Sequence, residues 1–137
     1  MLPVLASFEV EEYAGSLNGV FTILEVLFGI LLYFLMARST MTTKTETFLY
    51  SVSYAYVFNG MHILVSGSIS LYSAYVLEHI FYYEAFLMSA TITYVVGSTL
   101  LVREANMVTF RAIVGLLVGI IHAVHFIATF LTLYITK

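Results

Sequence analysis

Four stretches of about 20 or more predominantly apolar residues fill this chain, at roughly 15–37, 47–69, 74–101 and 107–135. A segment of that length crosses a hydrocarbon core about 30 Å thick as a helix. Lipid offers the backbone no hydrogen-bond partners, so each N–H and C=O must be satisfied within the segment. The rest of the sequence agrees with this solvent: 61% of the 137 residues are hydrophobic, 9% are charged, and the mean hydropathy is +1.00. The expected fold is therefore an all-α integral membrane protein, an antiparallel bundle of four transmembrane helices in a cell membrane.

The breaks between segments are short. "ARSTMTTKTET" separates the first two and "REAN" the last two, while "SGSISLYSAY" is uncharged but dense in Ser and Gly, as a hairpin turn requires. Connections this short make successive helices antiparallel neighbours, and residues 1–137 read as one domain. The N-terminal "MLPVLASFEVEEYAG" lacks a basic region and carries Glu9, Glu11 and Glu12, so it does not read as a removable signal. Arg38, Lys44, Arg103 and Arg111 flank the first and third connections. By the positive-inside bias this puts those connections in the cytoplasm and both termini outside.

Antiparallel helices with a rise of about 1.5 Å per residue bring distant residues to similar depth. Glu25 and His122 fall near the bilayer centre, and His125, His62 and Glu84 fall about 5–6 Å toward the outer face. Residues at i, i+3, i+4 and i+7 share a helical face. On that spacing each segment carries a stripe of small or polar residues: Gly15, Asn18, Thr22, Glu25 and Gly29; Ala55, Asn59, His62 and Ser66; Glu84, Met88, Thr91 and Ser98; Arg111, Gly115, His122, His125, Thr129 and Thr132. Turned inward, these stripes would make a polar interior. Tyr72, Tyr75, Tyr82 and Tyr83 read instead as an interfacial aromatic belt.

Each strongly polar group costs about 2–3 kcal/mol to insert near the centre of a helix, which makes several at one depth a functional signal. One chemistry is b-type haem ligation by two imidazoles on different helices, His62 opposite His125 or His122. A second is a non-haem metal site that adds Glu25 or Glu84. The third is a proton or quinol site using Glu25, Glu84, His62 and Asn59, since histidine and a desolvated carboxyl group both exchange protons near neutral pH. The bland alternative is interhelical hydrogen bonding worth about 1 kcal/mol per pair, and Gly115 with Gly119 forms a GxxxG pair whose ordinary meaning is close packing.

Other classes are disfavoured by what the sequence lacks. It has no Cys and no Asp, which removes thiolate sites, cysteine nucleophiles and paired-Asp proteolysis, and it has no HExxH motif. A net charge of -3 without a basic cluster gives no reason to expect nucleic acid as a partner. No internal repeat or broken helix suggests a transporter, and a single carboxylate per chain is thin support for a channel. Short loops leave little surface for a soluble substrate, so an independent enzyme is not expected. The sequence-based reading is a small subunit of a respiratory or oxidase-type membrane complex, working among other integral subunits and lipid. Its cofactor-binding candidates are His62, His122 and His125, with His62 and His125 as haem iron ligands. Glu25, Glu84 and Asn59 are the proton or quinol candidates. The alternative is a purely structural accessory subunit that stabilises a catalytic neighbour.

Overall fold

The computed structural model describes residues 10–135, which are almost entirely helical and contain no strand. A helical segment at 10–15 leads into α1 (Leu17–Ala37), followed by α2 (Lys44–Ile69), the short α3 (Leu71–Glu78), α4 (Phe81–Ala105) and α5 (Phe110–Tyr134). Helix starts follow local capping chemistry. Ser16, Thr43 and Thr109 each accept a hydrogen bond from the backbone N–H three residues ahead, and Thr43 with Glu46 completes a reciprocal capping box. At the end of α4, Asn106 takes a left-handed conformation at φ 51° and reverses the chain into α5. Asn is among the few residues that enter this region readily.

The four long helices pack side by side, α1 against α2 and α5, and α4 against α2 and α5. Their pairings are antiparallel in sequence order. Tyr33 meets Tyr50 and Gly29 lies beside Val57 across α1 and α2, while Asn18 meets Thr129 and Glu25 meets His125 across α1 and α5. The centre is held by Leu32, Met36, Leu49, Tyr94, Leu101 and Val118, each nearly or completely buried. Gly115 and Gly119 face α4. A Cβ on Gly119 would stand 2.8 Å from Val95 Cγ2, and the Ser98 hydroxyl occupies the notch over Gly115. Close packing is thus what these two glycines provide.

Three helices, Leu17–Ala37, Phe81–Ala105 and Phe110–Tyr134, are long and apolar enough to cross a membrane. Their outward residues are large and apolar, among them Leu27, Phe34, Ile92, Val96, Ile120 and Ile127. The chain is accordingly a membrane protein by its helices. α2 is as long but more polar, with Ser51, Ser53, Asn59, His62 and Ser66 along it.

Two expectations about the third segment change. The helix expected at 74–101 is interrupted at His79–Ile80, with Ile80 extended, and α4 then runs on to Ala105 through most of "REAN". A helix does not have to stop where the hydrocarbon does, because its internal hydrogen bonds serve equally well in water. The stretch "SGSISLYSAY", expected as a hairpin turn, is helical on both sides of Ser70, whose extended backbone alone ends α2 and caps α3; the remaining boundaries shift by only a few residues, as fraying and capping at helix ends allow.

At the end formed by the first and third connections, polar pairs tie the helices together. Arg111 Nη1 donates to Glu46 Oε1 at 2.6 Å, and Thr45 Oγ1 donates to Glu104 Oε1 at 2.6 Å. Glu46 also accepts from the Thr42 and Thr43 backbones. Burial pushes its carboxyl up, but these N–H groups and the Arg111 guanidinium outweigh that and hold it below its ordinary value.

Candidate functional site: a buried Glu–His–His cluster

Glu25 of α1 and His122 and His125 of α5 are the ionisable groups that the fold brings together in its interior, at 5%, 2% and 0% exposure. On α5 the i, i+3 spacing puts both imidazoles on the face toward α1. His125 Nδ1 lies 2.8 Å from Glu25 Oε1, and His122 Nε2 lies 3.9 Å from Glu25 Oε2. When Glu25 is a carboxylate it can only accept, and His125 then donates through Nδ1. The His122 Nδ1 hydrogen bonds the Val118 carbonyl at 2.9 Å, so that nitrogen carries a proton and neutral His122 turns a bare Nε2 toward Glu25.

Further groups close the cluster. His125 Nε2 lies 3.2 Å from both Asn18 Oδ1 of α1 and the Tyr83 hydroxyl of α4, and Thr129 Oγ1 donates to Asn18 Oδ1 at 3.3 Å. Phe21 stacks on the His125 ring at 5.0 Å, and Tyr56, Phe86 and Tyr94 surround His122 at 5.5–6.3 Å. This wall fixes both imidazoles in place.

The arrangement satisfies two protonation states. With His125 cationic, Nδ1–H is donated to the Glu25 carboxylate and Nε2–H to Asn18 Oδ1. With His125 neutral, Nε2 is an acceptor and the Tyr83 hydroxyl is placed to donate to it. One proton separates the two states, and in both the ring nitrogens of His125 have partners.

The other candidates lie elsewhere. His62 is exposed on α2, where its Nδ1 hydrogen bonds the Phe58 carbonyl and its ring packs on Phe58, all within its own helix. Asn59 is half-buried, donates to the Ala55 carbonyl, and lines a cleft of about 450 Å³ between α2 and α4. Glu84 is half-buried beside Tyr134. The inward stripes of α1 and α5 are therefore as expected around the cluster, whereas that of α2 is turned and that of α4 keeps only Ser98 inside. The buried face of α2 carries Leu49, Val52, Ser53 and Gly60, and that of α4 carries Tyr83, Leu87, Ala90, Tyr94 and Ser98.

Tyr83 is a correction in its own right. Expected in the interfacial belt, it is 2% exposed and belongs to the cluster, while Tyr72, Tyr75 and Tyr82 are well exposed. Tyrosine is equally suited to an interface and to a buried site that meets its hydroxyl, so its sequence position alone carried no signal. Among the described residues no group of three or more His, Asp, Glu or Cys side chains is arranged to hold a metal ion. Comparison of the chain with known protein families, curated proteins and solved structures gives no match.

Proposed function

We propose that this chain is a small integral membrane subunit that crosses the bilayer four times and exchanges protons at Glu25, His122 and His125, beside other subunits of a respiratory or oxidase-type complex. The observation that carries the reading is the buried Glu25–His125 hydrogen bond with a second imidazole facing the same carboxyl group. Ionisable residues in a membrane interior are costly and are kept where they move or hold charge. Support for four crossings comes from direction. α1 and α4 each pair antiparallel with α5 and so run the same way, and α2 is placed to carry the chain back between them.

The haem reading draws less support. His125 Nε2 is held by Asn18 and Tyr83, the bare His122 Nε2 faces the Glu25 carboxyl group, and His62 stands on the outer face of α2, so no two free imidazole nitrogens face a common space among the described residues. On that face of α2, a ligand shared with a neighbouring subunit would be needed to engage His62.

The test is infrared difference spectroscopy of the full chain in lipid as pH is stepped between about 5 and 9, the range of histidine titration. A titrating carboxyl or imidazole signal that is lost or displaced in Glu25→Gln supports proton exchange. A Glu25 signal unchanged across that range overturns it and leaves the structural accessory role. A reduced-minus-oxidised spectrum of the native complex, with a b-type band lost in His62→Ala, would move the assignment to haem.

A further inference from the structure

Two hydroxyl groups in the centre of the protein have no hydrogen-bond partner among the described residues: Tyr94 Oη and Ser98 Oγ, both on α4 and both on side chains with 0% exposure. Tyr94 is the largest fully buried side chain. Its ring packs against His122 at 5.5 Å, and its hydroxyl faces α1 at Gly29, one turn beyond Glu25. Ser53 of α2 is the polar group beside that hydroxyl; it donates to the Leu49 carbonyl at 2.7 Å and keeps lone pairs toward Tyr94, but stands outside direct hydrogen-bond geometry with Tyr94 Oη. Ser98 follows Tyr94 by one turn on the same face and points at Gly115 of α5. Isolated unpaired hydroxyls are rare in close-packed interiors, and those that occur in polar surroundings are served by internal water.

Beyond Ser98 the character of the interior changes. Leu32 and Met36 of α1, Leu49 of α2 and Leu101 of α4 fill the next turns, all 0–3% exposed and packed into one cluster. From Leu32, level with Ser98, to Met36 this apolar layer is about 6 Å thick at 1.5 Å per residue. The Glu46–Arg111 pair lies on its far side.

We infer that Tyr94 and Ser98 line an internal water site that extends the Glu25–His122–His125 cluster by about two turns of α4, and that the apolar layer closes it. The interior is then a blind polar column. A proton reaches Glu25 from the end that carries Asn18, Tyr83 and Thr129, and stops at Leu32, Met36, Leu49 and Leu101. A conducting pore would need polar groups through this layer; a site loaded and emptied from one side needs none. This inference builds on the proton-exchange reading and adds the direction of access.

Radiolytic hydroxyl-radical labelling of the full chain in lipid nanodiscs tests it, because radicals formed from a bound water modify side chains beside it even when bulk solvent is excluded. Methionine is intrinsically the more reactive side chain, so Met36 is an internal control for dryness. The expected result is modification of Tyr94 with Met36 unmodified, and reduced Tyr94 labelling in Ser98→Ala. An unlabelled Tyr94 overturns the water site. Labelling of Met36 at the rate of Tyr94 or above overturns the one-sided closure. Since the infrared signal of Glu25 is read separately, a dry Tyr94 beside a titrating Glu25 rejects this inference alone. A labelled Tyr94 beside a Glu25 that never titrates rejects the proton role and leaves the water site.

Discussion

At the residue scale, Glu25 decides whether the cluster holds together. Glu25→Ala leaves the His125 Nδ1–H buried at 0% exposure with nothing to accept it. An unsatisfied buried donor costs about 1–3 kcal/mol, and about 3–5 kcal/mol where the orphaned group is charged. Glu25→Gln retains a carbonyl oxygen at the same reach and is expected to lose much less. Thermal unfolding in detergent should rank wild type, Gln and Ala in that order, and equal midpoints for Gln and Ala would remove the hydrogen bond from the account. Glu25, His122 and His125 were legible in the sequence because polar groups in otherwise lipid-compatible segments stand out, and the i, i+3 spacing placed the two histidines on one face. Tyr83 and Tyr94 were not, since an aromatic hydroxyl carries no comparable hydropathy penalty and suits either an interface or a core. His62, Asn59 and Glu84 stood out in the same way as Glu25, but depth fixes height along a helix and says nothing of its rotation.

At the element scale, rotation is set by packing, and in a bilayer apolarity does not distinguish the core face from the lipid face. α1 and α5 concentrate their polar residues in one stripe, and its central part, Thr22 and Glu25 on α1 and His122, His125 and Thr129 on α5, points inward. α2 and α4 scatter Ser, Thr and Tyr around the helix, and their inner faces are marked instead by small residues that admit a neighbour, Gly60 and Gly97 among them. The contact between α4 and α5 gives a direct check. Gly119→Val would drive a branched side chain into Val95, whose backbone N is already 3.2 Å from an added Cβ, at a cost of about 1–3 kcal/mol for overpacking. Gly15→Ala, where an added Cβ meets nothing within 4 Å, should be close to neutral in the same unfolding measurement. The tie between α2 and α5 adds a pH dependence. The Glu46 carboxyl is held below its reference value of 4.5, so the folded state binds its proton less readily than the unfolded chain. Its contribution is complete above that reference value and is lost as pH falls through the lower folded-state value. Acid titration of the unfolding midpoint should therefore be shallower in Glu46→Gln, and matching slopes in the two proteins would show that the pair contributes nothing.

At the scale of the whole molecule, the number of crossings is the property on which the rest depends. Length and apolarity single out α1, α4 and α5, and α2 falls short on composition alone. Pairing is the ground on which a fourth span is proposed: a helix between two spans that run in the same direction is placed to return the chain, and neighbours can accommodate polar groups that lipid would not. The absence of Cys makes this directly measurable, because every introduced thiol is the only one. Met41 and Met107 lie at one end and Tyr72 at the other, at 38%, 62% and 76% exposure. On the positive-inside expectation for Arg38, Lys44, Arg103 and Arg111, an impermeant maleimide applied to intact cells should label Tyr72→Cys and spare Met41→Cys and Met107→Cys, with all three labelled after permeabilisation. Labelling of Met41→Cys together with Tyr72→Cys would place both ends of α2 on one side and reduce the spans to three. The packing around Glu25 would then have to be redrawn, because α1 and α4 would no longer cross the membrane in the same direction beside α5. Labelling of Met41→Cys and Met107→Cys with Tyr72→Cys protected would keep four spans and invert them, so that Glu25 would load from the cytoplasm.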